Sequence, residues 1–202
     1  MLPGNGIGDA DKTCFTTDTQ YAFQHTGLKT TDIKEYIRNP HRFNIKWEMD
    51  GQYYNLWSTD NDRTDANDDV VIKSVYDPSP VGYSLPASNA FTGFTTTGQA
   101  SGNPNEFNIQ GSFHKGWLLY LQPNKQGSTS FFYGCGARHN NLGKLNSIST
   151  NGYYWMANHY SIRSSRNLNF SAVNINTQDN SNRSSGFAVR SAEEKVVMVR
   201  LR

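Results

Sequence analysis

The most informative stretch of this chain runs from Gly152 to Phe170 and reads GYYWMANHYSIRSSRNLNF. Apolar and aromatic residues at both ends predict short strands at residues 153–156 and 167–170, whereas the middle is rich in Asn, Ser, Arg and His. We therefore expect a fixed apolar frame, buried in the core, that carries a polar surface. In the last third of the chain the frame residues are Tyr153, Tyr154, Trp155, Leu168, Phe170, Val173, Phe187 and Val189.

The polar residues around this frame have an unusual composition. Between Met156 and Ser191 there is no Lys and no Glu, and Asn recurs throughout. An ordinary solvated surface carries both charged residue types. Tyr and Trp beside Asn, Ser and Gly are instead typical of rigid amphipathic contact surfaces.

The length, charge, hydropathy and cysteine content of the chain argue against several functional classes. The chain has 202 residues, 18% of them charged, and a net charge of +2, so its length suits one domain and its overall charge does not favour nucleic-acid binding. No apolar run is long enough to cross a bilayer, and residues 1–6 lack the parts of a signal peptide. Cys14 and Cys135 fit neither a metal knuckle nor a redox pair, and a disulfide between them is left open.

The predicted fold class is α+β, with few short helices, small antiparallel sheets and long loops. A helix is expected from Thr31 or Asp32 to the stop at Asn39-Pro40, and a second, short one at residues 87–91. Prolines and a glycine predict a tightly defined turn within residues 76–86. The remaining expected strands lie at residues 44–47, 53–57, 113–121, 128–133 and 186–190.

Motifs for catalysis or metal binding are weak. The acidic loop at residues 60–69 offers carboxylates for calcium but lacks the spacing of a helix-loop-helix site, so a solvated connector is favoured. Gln122-Pro123-Asn124 is like the proline-centred triplet of calcium-dependent lectins, but its place between two predicted strands favours an ordinary hairpin turn. The histidines have no metal-ligand spacing, and no nucleophile motif is present, so we predict no metal, no cofactor and no catalytic residue.

Three segments carry a family resemblance: Tyr76-Asp-Pro-Ser-Pro-Val-Gly-Tyr-Ser-Leu-Pro86, Gly152-Tyr-Tyr-Trp155 and Arg183-Ser-Ser-Gly-Phe-Ala-Val-Arg190. In sequence, order and spacing they resemble the major paralogous (FISUMP) domain of bacterial surface proteins. That resemblance implies a C-type lectin-like fold for residues 51–202, with residues 1–50 as an N-terminal extension packed on the domain or leading into it. The chain departs from the family pattern at Ser79, where relatives carry Cys, and at Cys135-Gly-Ala-Arg138, where Gly-Tyr-Arg is usual.

Within that group, residues 89–94 and the Asn-rich end look like variable proteins of diversity-generating retroelements. The resemblance implies that adenines in a template for the coding sequence are randomised, so that Asn codons become mainly codons for Tyr, His, Asp, Ser, Thr, Ile, Arg or Gly. Lys and Glu are poor outcomes of such a process, which matches their absence here. The alternative, a static surface loop of an ordinary paralogous domain, stays open.

On this interpretation a variable ligand-binding region covers about residues 138–185. It implies a non-catalytic adhesin or receptor-binding module at a bacterial surface, pilus tip or phage tail, with a protein or glycan on another cell or surface as its partner. Arg138, Gly186 and Arg190 are expected to be structural, Gly186 through close packing or an unusual backbone angle. The alternatives are an enzyme of the formylglycine-generating type, which needs a cysteine pair, and a calcium-dependent sugar lectin. The predicted contact residues are His139, Asn140, Asn151, Asn158, His159, Tyr160, Arg163, Arg166, Asn167, Asn169, Asn174, Asn176 and Asn182.

Overall fold

A computed structural model describes residues 57–59, 71–140, 145–161 and 163–194. The predicted helix that begins near Asp32 lies outside these residues. So does the predicted hairpin at residues 44–57, apart from Trp57. Both remain predictions.

The α+β prediction is wrong, because the described residues are almost entirely strands, turns and loops. Their only helical elements are two single 3-10 turns, Thr92–Phe94 and Pro104–Glu106. The short helix expected at residues 87–91 is a run of tight turns in which the N–H of Ala90 donates to the Ala87 carbonyl at 3.0 Å. So short a segment, rich in residues that compete for backbone hydrogen bonds, cannot offset the cost of starting an α-helix.

The described strands form four small antiparallel sheets, and we number them in chain order. The longest sheet has the strand order β2-β10-β9-β8, a second has the order β3-β4-β5, and the pairs β1-β11 and β6-β7 complete the set. The bounds are β1 Tyr83–Ser84, β2 Ser101–Gly102, β3 Ile109–Gln110, β4 Gly116–Gln122, β5 Gln126–Tyr133, β6 Ala137–Arg138, β7 Leu145–Asn146, β8 Gly152–His159, β9 Ser164–Phe170, β10 Ile175–Asn182 and β11 Ala192–Glu193.

Four of the predicted strands are confirmed in position, as β4, β5, β8 and β9. Residues 186–190 do not form a strand, since they make only isolated bridges from Gly186 to Arg138 and from Ala188 to Tyr154. Strand β10 was not predicted, because its sequence INTQDNSN has low strand propensity. It forms because Ile175 and Thr177 are buried and its backbone pairs with β9 on one side and β2 on the other.

The main core lies between β4–β5 and the inner face of the long sheet. Its centre is the ring of Phe132, which packs edge-on against Phe94 at 5.6 Å and Tyr154 at 5.4 Å between ring centroids. Such arrangements add to the stability gained by burial. The buried members are Phe91, Phe94, Phe107, Trp117, Leu119, Phe132, Tyr154, Met156, Leu168, Phe170 and Ile175.

A second, smaller cluster packs on the outer face of the same sheet. Trp155 lies there with Leu85 and Ala157, and its ring stacks on Phe187 at 4.3 Å. Trp117 and Phe170 lie in the main core instead. Successive side chains of a strand point to opposite faces, so Trp155 faces away from the core that Tyr154 enters.

Two predicted frame residues are exposed. Val173, between β9 and β10, is 74% exposed and Val189 is 38% exposed. The structural role of Arg190 is confirmed, since its Nη1 donates to the Phe131 carbonyl at 2.9 Å and its guanidinium lies 4.2 Å from the Phe132 ring centroid. Close packing at Gly186 is confirmed as well, because a Cβ there would lie 2.9 Å from the Cβ of Arg138.

The turn predicted within residues 76–86 is confirmed. The buried carboxylate of Asp77 accepts the backbone N–H groups of Ser79 at 2.8 Å and Leu85 at 2.9 Å. Lys73 Nζ donates to three carbonyls, those of Ser79, Pro80 and Tyr83, at 2.6 to 2.8 Å. These contacts fix the segment that leads into the second cluster.

Candidate ligand-binding surface

Part of the predicted contact surface comes together at one end of the long sheet. The β8–β9 hairpin turns there, and β10 ends beside it, because Asn182 pairs with Ser164. The N–H of Arg183 then donates to the Arg163 carbonyl at 3.1 Å. We call this end the arginine tip and define it as Tyr160, Arg163, Arg166, Asn182 and Arg183.

Backbone and serine hydrogen bonds hold the hairpin turn of the arginine tip. Ser161 Oγ accepts the N–H of Arg163 at 3.2 Å and that of Ser164 at 3.1 Å, and it lies 2.7 Å from Ser164 Oγ. The N–H of Tyr160 donates to the Ser164 carbonyl at 2.9 Å. The turn therefore presents its side chains from a defined backbone.

Tyr160 and Arg166 form a pair at the centre of the arginine tip. The Arg166 guanidinium carbon lies 4.2 Å from the Tyr160 ring centroid, and Arg166 Nη1 donates to the Gln178 carbonyl at 2.8 Å. This cation–π contact orients the Tyr160 ring, which is 45% exposed. Arg163 is exposed as well.

Three predicted contact residues are buried, which corrects their expected place on the surface. Asn158, His159 and Asn167 are 1%, 2% and 0% exposed. The pairing of β8 with β9 shifts register between Trp155 and His159, and the Ser88 N–H donates to Asn158 Oδ1 at 2.8 Å. No ligand reaches these side chains in this conformation.

Asn167 has an unusual environment. It lies on the central strand β9, paired with Trp155 on one side and Asp179 on the other. Neither its amide nitrogen nor its amide oxygen has a hydrogen-bond partner in the structure. An unpaired buried amide destabilises the fold.

The remaining predicted residues lie elsewhere on the sheet or beside it. Asn169 Nδ2 donates to Asp179 Oδ2 at 2.9 Å, Asn176 Oδ1 accepts the Gln178 N–H at 3.1 Å, and Asn174 Nδ2 donates to the Gly102 carbonyl at 3.1 Å. Asn151 precedes β8, at the far end of the sheet from the arginine tip. His139 and Asn140 follow β6, where Arg138 pairs with Gly186 and burial lowers the pKa of the Arg138 guanidinium. The thirteen residues are therefore not one continuous surface.

Our sequence reasoning missed Arg183, which the structure places against Arg163. Its position directly after Asn182, in the stretch without Lys or Glu, is the only sequence signal that could have identified it. The pairing of β10 with β9 brings it to the tip, and β10 was itself not predicted.

The candidate metal-binding features of the sequence lie in different parts of the chain. The acidic loop at residues 60–69 lies outside the described residues, and Gln122-Pro123-Asn124 leads into the tight turn between β4 and β5. In the part of the chain that the structure describes, no three His, Cys, Asp or Glu residues are grouped so that they could hold a metal ion. Cys135 carries a thiol, and Cys14 lies outside the described part.

The described residues contain no helix with the length and apolar character needed to span a membrane. No protein-family model matches the chain, and neither the curated proteins nor the solved structures include a significant match to it.

Proposed function

We propose that this protein is a non-catalytic binding module and that the arginine tip is the centre of its contact surface. The observation that carries the proposal is the pair of Tyr160, half exposed, and Arg166, whose guanidinium lies 4.2 Å from the Tyr160 ring centroid. Tyr and Arg are the residue types that dominate binding energy at protein interfaces. A Tyr side chain that is already oriented loses little entropy when it binds.

The structure of the surrounding strands supports a binding role. The main core on the inner face of the sheet and the second cluster on its outer face hold β8 and β9 in place. Hydrogen bonds of Ser161 and Ser164 fix the turn that joins the two strands. A rigid element is a better platform for recognition than a loose loop, because less freedom is lost on association.

The family resemblance adds the biological setting of the proposal. It favours an adhesin or receptor-binding module of a bacterial surface, pilus tip or phage tail, whose partner is a protein or glycan on another surface. It also favours a diversified region at about residues 138–185. If that region varies, we expect variation to be tolerated at Tyr160 and Arg163 and to be constrained at the buried positions Asn158 and His159.

The test compares the wild-type protein with the Tyr160→Ala/Arg163→Ala/Arg166→Ala variant. Both are immobilised and screened against a displayed random-peptide library and a glycan array. We expect to find ligands that bind the wild type and do not bind the variant. A double variant, Tyr160→Ala/Arg163→Ala, preserves the bond from Arg166 to the Gln178 carbonyl in case the triple variant does not fold.

The matched control is Leu121→Ala/Lys125→Ala/Gln126→Ala. These three side chains are exposed at the β4–β5 turn, outside the predicted surface, and they too include one large apolar group and one cation. The control should bind like the wild type. The proposal is wrong if the folded tip variants keep the same ligands as the wild type, or if the control loses them equally.

A further inference from the structure

The three-stranded sheet β3-β4-β5 has an outer face that is apolar and exposed. Leu119 and Phe132 point into the main core, so the alternate residues of β4 and β5 point outward. Among these, Leu118 lies directly opposite Phe131, and Tyr133 follows two residues later on the same face. Leu118, Phe131 and Tyr133 are 37%, 44% and 39% exposed. We call these three residues the aromatic platform.

The ring of Phe131 lies over the backbone of β4. A Cβ on Gly116 would lie only 2.8 Å from Phe131 Cζ, so the missing side chain at Gly116 leaves the space that the ring occupies. Such packing of an aromatic ring over a strand glycine stabilises the sheet. Because one side of the ring packs against β4, the exposed part of the Phe131 ring faces away from the sheet.

Tyr133 is held beside Phe131 through its hydroxyl group. Tyr133 Oη lies 2.7 Å from Ser149 Oγ, and the ring centroids of Phe131 and Tyr133 are 6.4 Å apart with their planes inclined by 48°. Ser149 reaches this position with a φ of +64°, which non-glycine residues rarely adopt. A ring whose orientation is already fixed loses little entropy when a ligand packs on it.

The strands that carry the aromatic platform are uncharged. Strands β3, β4 and β5 contain no Asp, Glu, Lys, Arg or His, and Lys115 and Lys125 lie in the turns that flank β4. Arg190 approaches β5 from the other side, where its guanidinium covers the Phe132 ring. The platform therefore suits a ligand without charge.

The size of the aromatic platform favours a small ligand. Because a large side chain has a surface of about 200 Å², the exposed fractions of the three residues correspond to an area on the order of 250 Å². A stable protein interface buries about 800 Å² on each partner. The platform is thus small for a contact between two copies of this chain, whereas its area suits one or two sugar rings.

We propose that the aromatic platform binds a neutral glycan, at a second site separate from the arginine tip. A pyranose ring has an apolar C–H face and a rim of hydroxyl groups. Its C–H groups are slightly positive and pack on the electron-rich face of an aromatic ring. The outward-facing residues beside the platform offer neutral donors and acceptors for the sugar hydroxyl groups; they are Gln110, Tyr120 and Thr129.

The test uses fluorescein-labelled neutral hexasaccharides derived from cellulose, mannan, chitin and amylose, with fluorescence anisotropy as the readout. We expect at least one of them to bind the wild type. Phe131→Ala/Tyr133→Ala should weaken that binding at least about tenfold, because both rings are removed. Phe131→Leu keeps an apolar side chain but removes the ring that would face the sugar, and should also weaken binding.

Two control variants locate the effect. Tyr83→Ala removes an exposed tyrosine from β1, and Tyr160→Ala/Arg163→Ala removes two side chains of the arginine tip. Both should bind the hexasaccharide like the wild type. Binding should also persist in EDTA, which a calcium-dependent lectin site would not allow. Thermal unfolding checks that all variants are folded.

The outcomes separate this inference from the proposed function. If no hexasaccharide binds, or if Phe131→Leu binds as tightly as the wild type, the inference is wrong and the role of the arginine tip is unaffected. If only the arginine-tip variant loses the sugar, the inference is wrong and the proposed function stands. If light scattering shows a wild-type dimer that Phe131→Ala/Tyr133→Ala converts to a monomer, a second copy of the chain covers the platform and the inference is again wrong.

Discussion

The two faces of strand β9 in the long sheet are both buried but have opposite chemistry. On the inner face, Leu168 and Phe170 of β9 enter an aromatic core. On the outer face, the alternate β9 residues Ser165 and Asn167 are 4% and 0% exposed. The comparison shows that one strand can carry the stability of the fold on one face and polar groups, some unpaired, on the other.

The largest expected effect lies on the inner face, at Phe170. This residue is 1% exposed and stacks on Tyr154 at 6.1 Å. Phe170→Ala should lower the free energy of unfolding by about 3 to 5 kcal/mol, because it removes buried apolar surface and leaves a cavity. Urea denaturation measures the change. Val173→Ala, three residues later and 74% exposed, is the control and should change stability by less than about 0.5 kcal/mol.

On the outer face we expect a substitution of opposite sign. Asn167→Leu replaces an amide with no partner by an apolar side chain with the same branching and number of heavy atoms, and should raise the free energy of unfolding by about 1 to 2 kcal/mol. Asn158→Leu is the matched control, because it leaves the Ser88 N–H without its acceptor and should destabilise by about 1 to 3 kcal/mol. A loss of stability in Asn167→Leu would contradict this expectation.

These two faces were not equally predictable from the sequence. Clusters of aromatic residues in the sequence predict the core strands, and β4, β5, β8 and β9 therefore lie close to their predicted positions. The burial of Asn158, His159 and Asn167 was not found, because hydropathy assigns polar residues to the surface. Their burial is set by tertiary contacts, such as the bond between Asn158 and Ser88, 70 residues away in sequence.

The error in fold class and the missing strand have related causes. The polar segment INTQDNSN shows neither apolar alternation nor β-branched enrichment, yet its backbone completes the sheet. At residues 87–91 the local composition suggests a helix, but this segment forms consecutive tight turns closed by hydrogen bonds between residues three apart. Only part of the arginine tip was predicted, because Arg183 reaches it through a strand that the sequence does not reveal.

A smaller effect is expected where the inner face meets β5, at Tyr154. Its hydroxyl donates to the Tyr133 carbonyl at 2.8 Å, so Tyr154→Phe should cost about 1 kcal/mol at neutral pH. Burial, and then the nearby Cys135 thiol, raise the pKa of Tyr154.

The raised pKa of Tyr154 gives a pH-dependent test. The unfolded chain loses the Tyr proton near pH 10, before the folded protein does, so this contribution to stability is complete below about pH 10 and declines above it. Urea midpoints measured from neutral to strongly alkaline pH should therefore fall less steeply for Tyr154→Phe than for the wild type. Parallel curves for the two proteins would contradict the raised pKa.

The smallest effect on stability is expected at the arginine tip, which lies beyond both buried faces. Tyr160→Ala removes one partly exposed cation–π contact and should lower the free energy of unfolding by only about 0.5 kcal/mol, although we expect it to weaken ligand binding more than any core variant that remains folded. Tyr160→Phe keeps the ring over which Arg166 lies and serves as the control, with stability close to that of the wild type. A loss of several kcal/mol in Tyr160→Ala would mean that the ring is part of the frame, because a recognition surface has to tolerate change at its contact residues without unfolding.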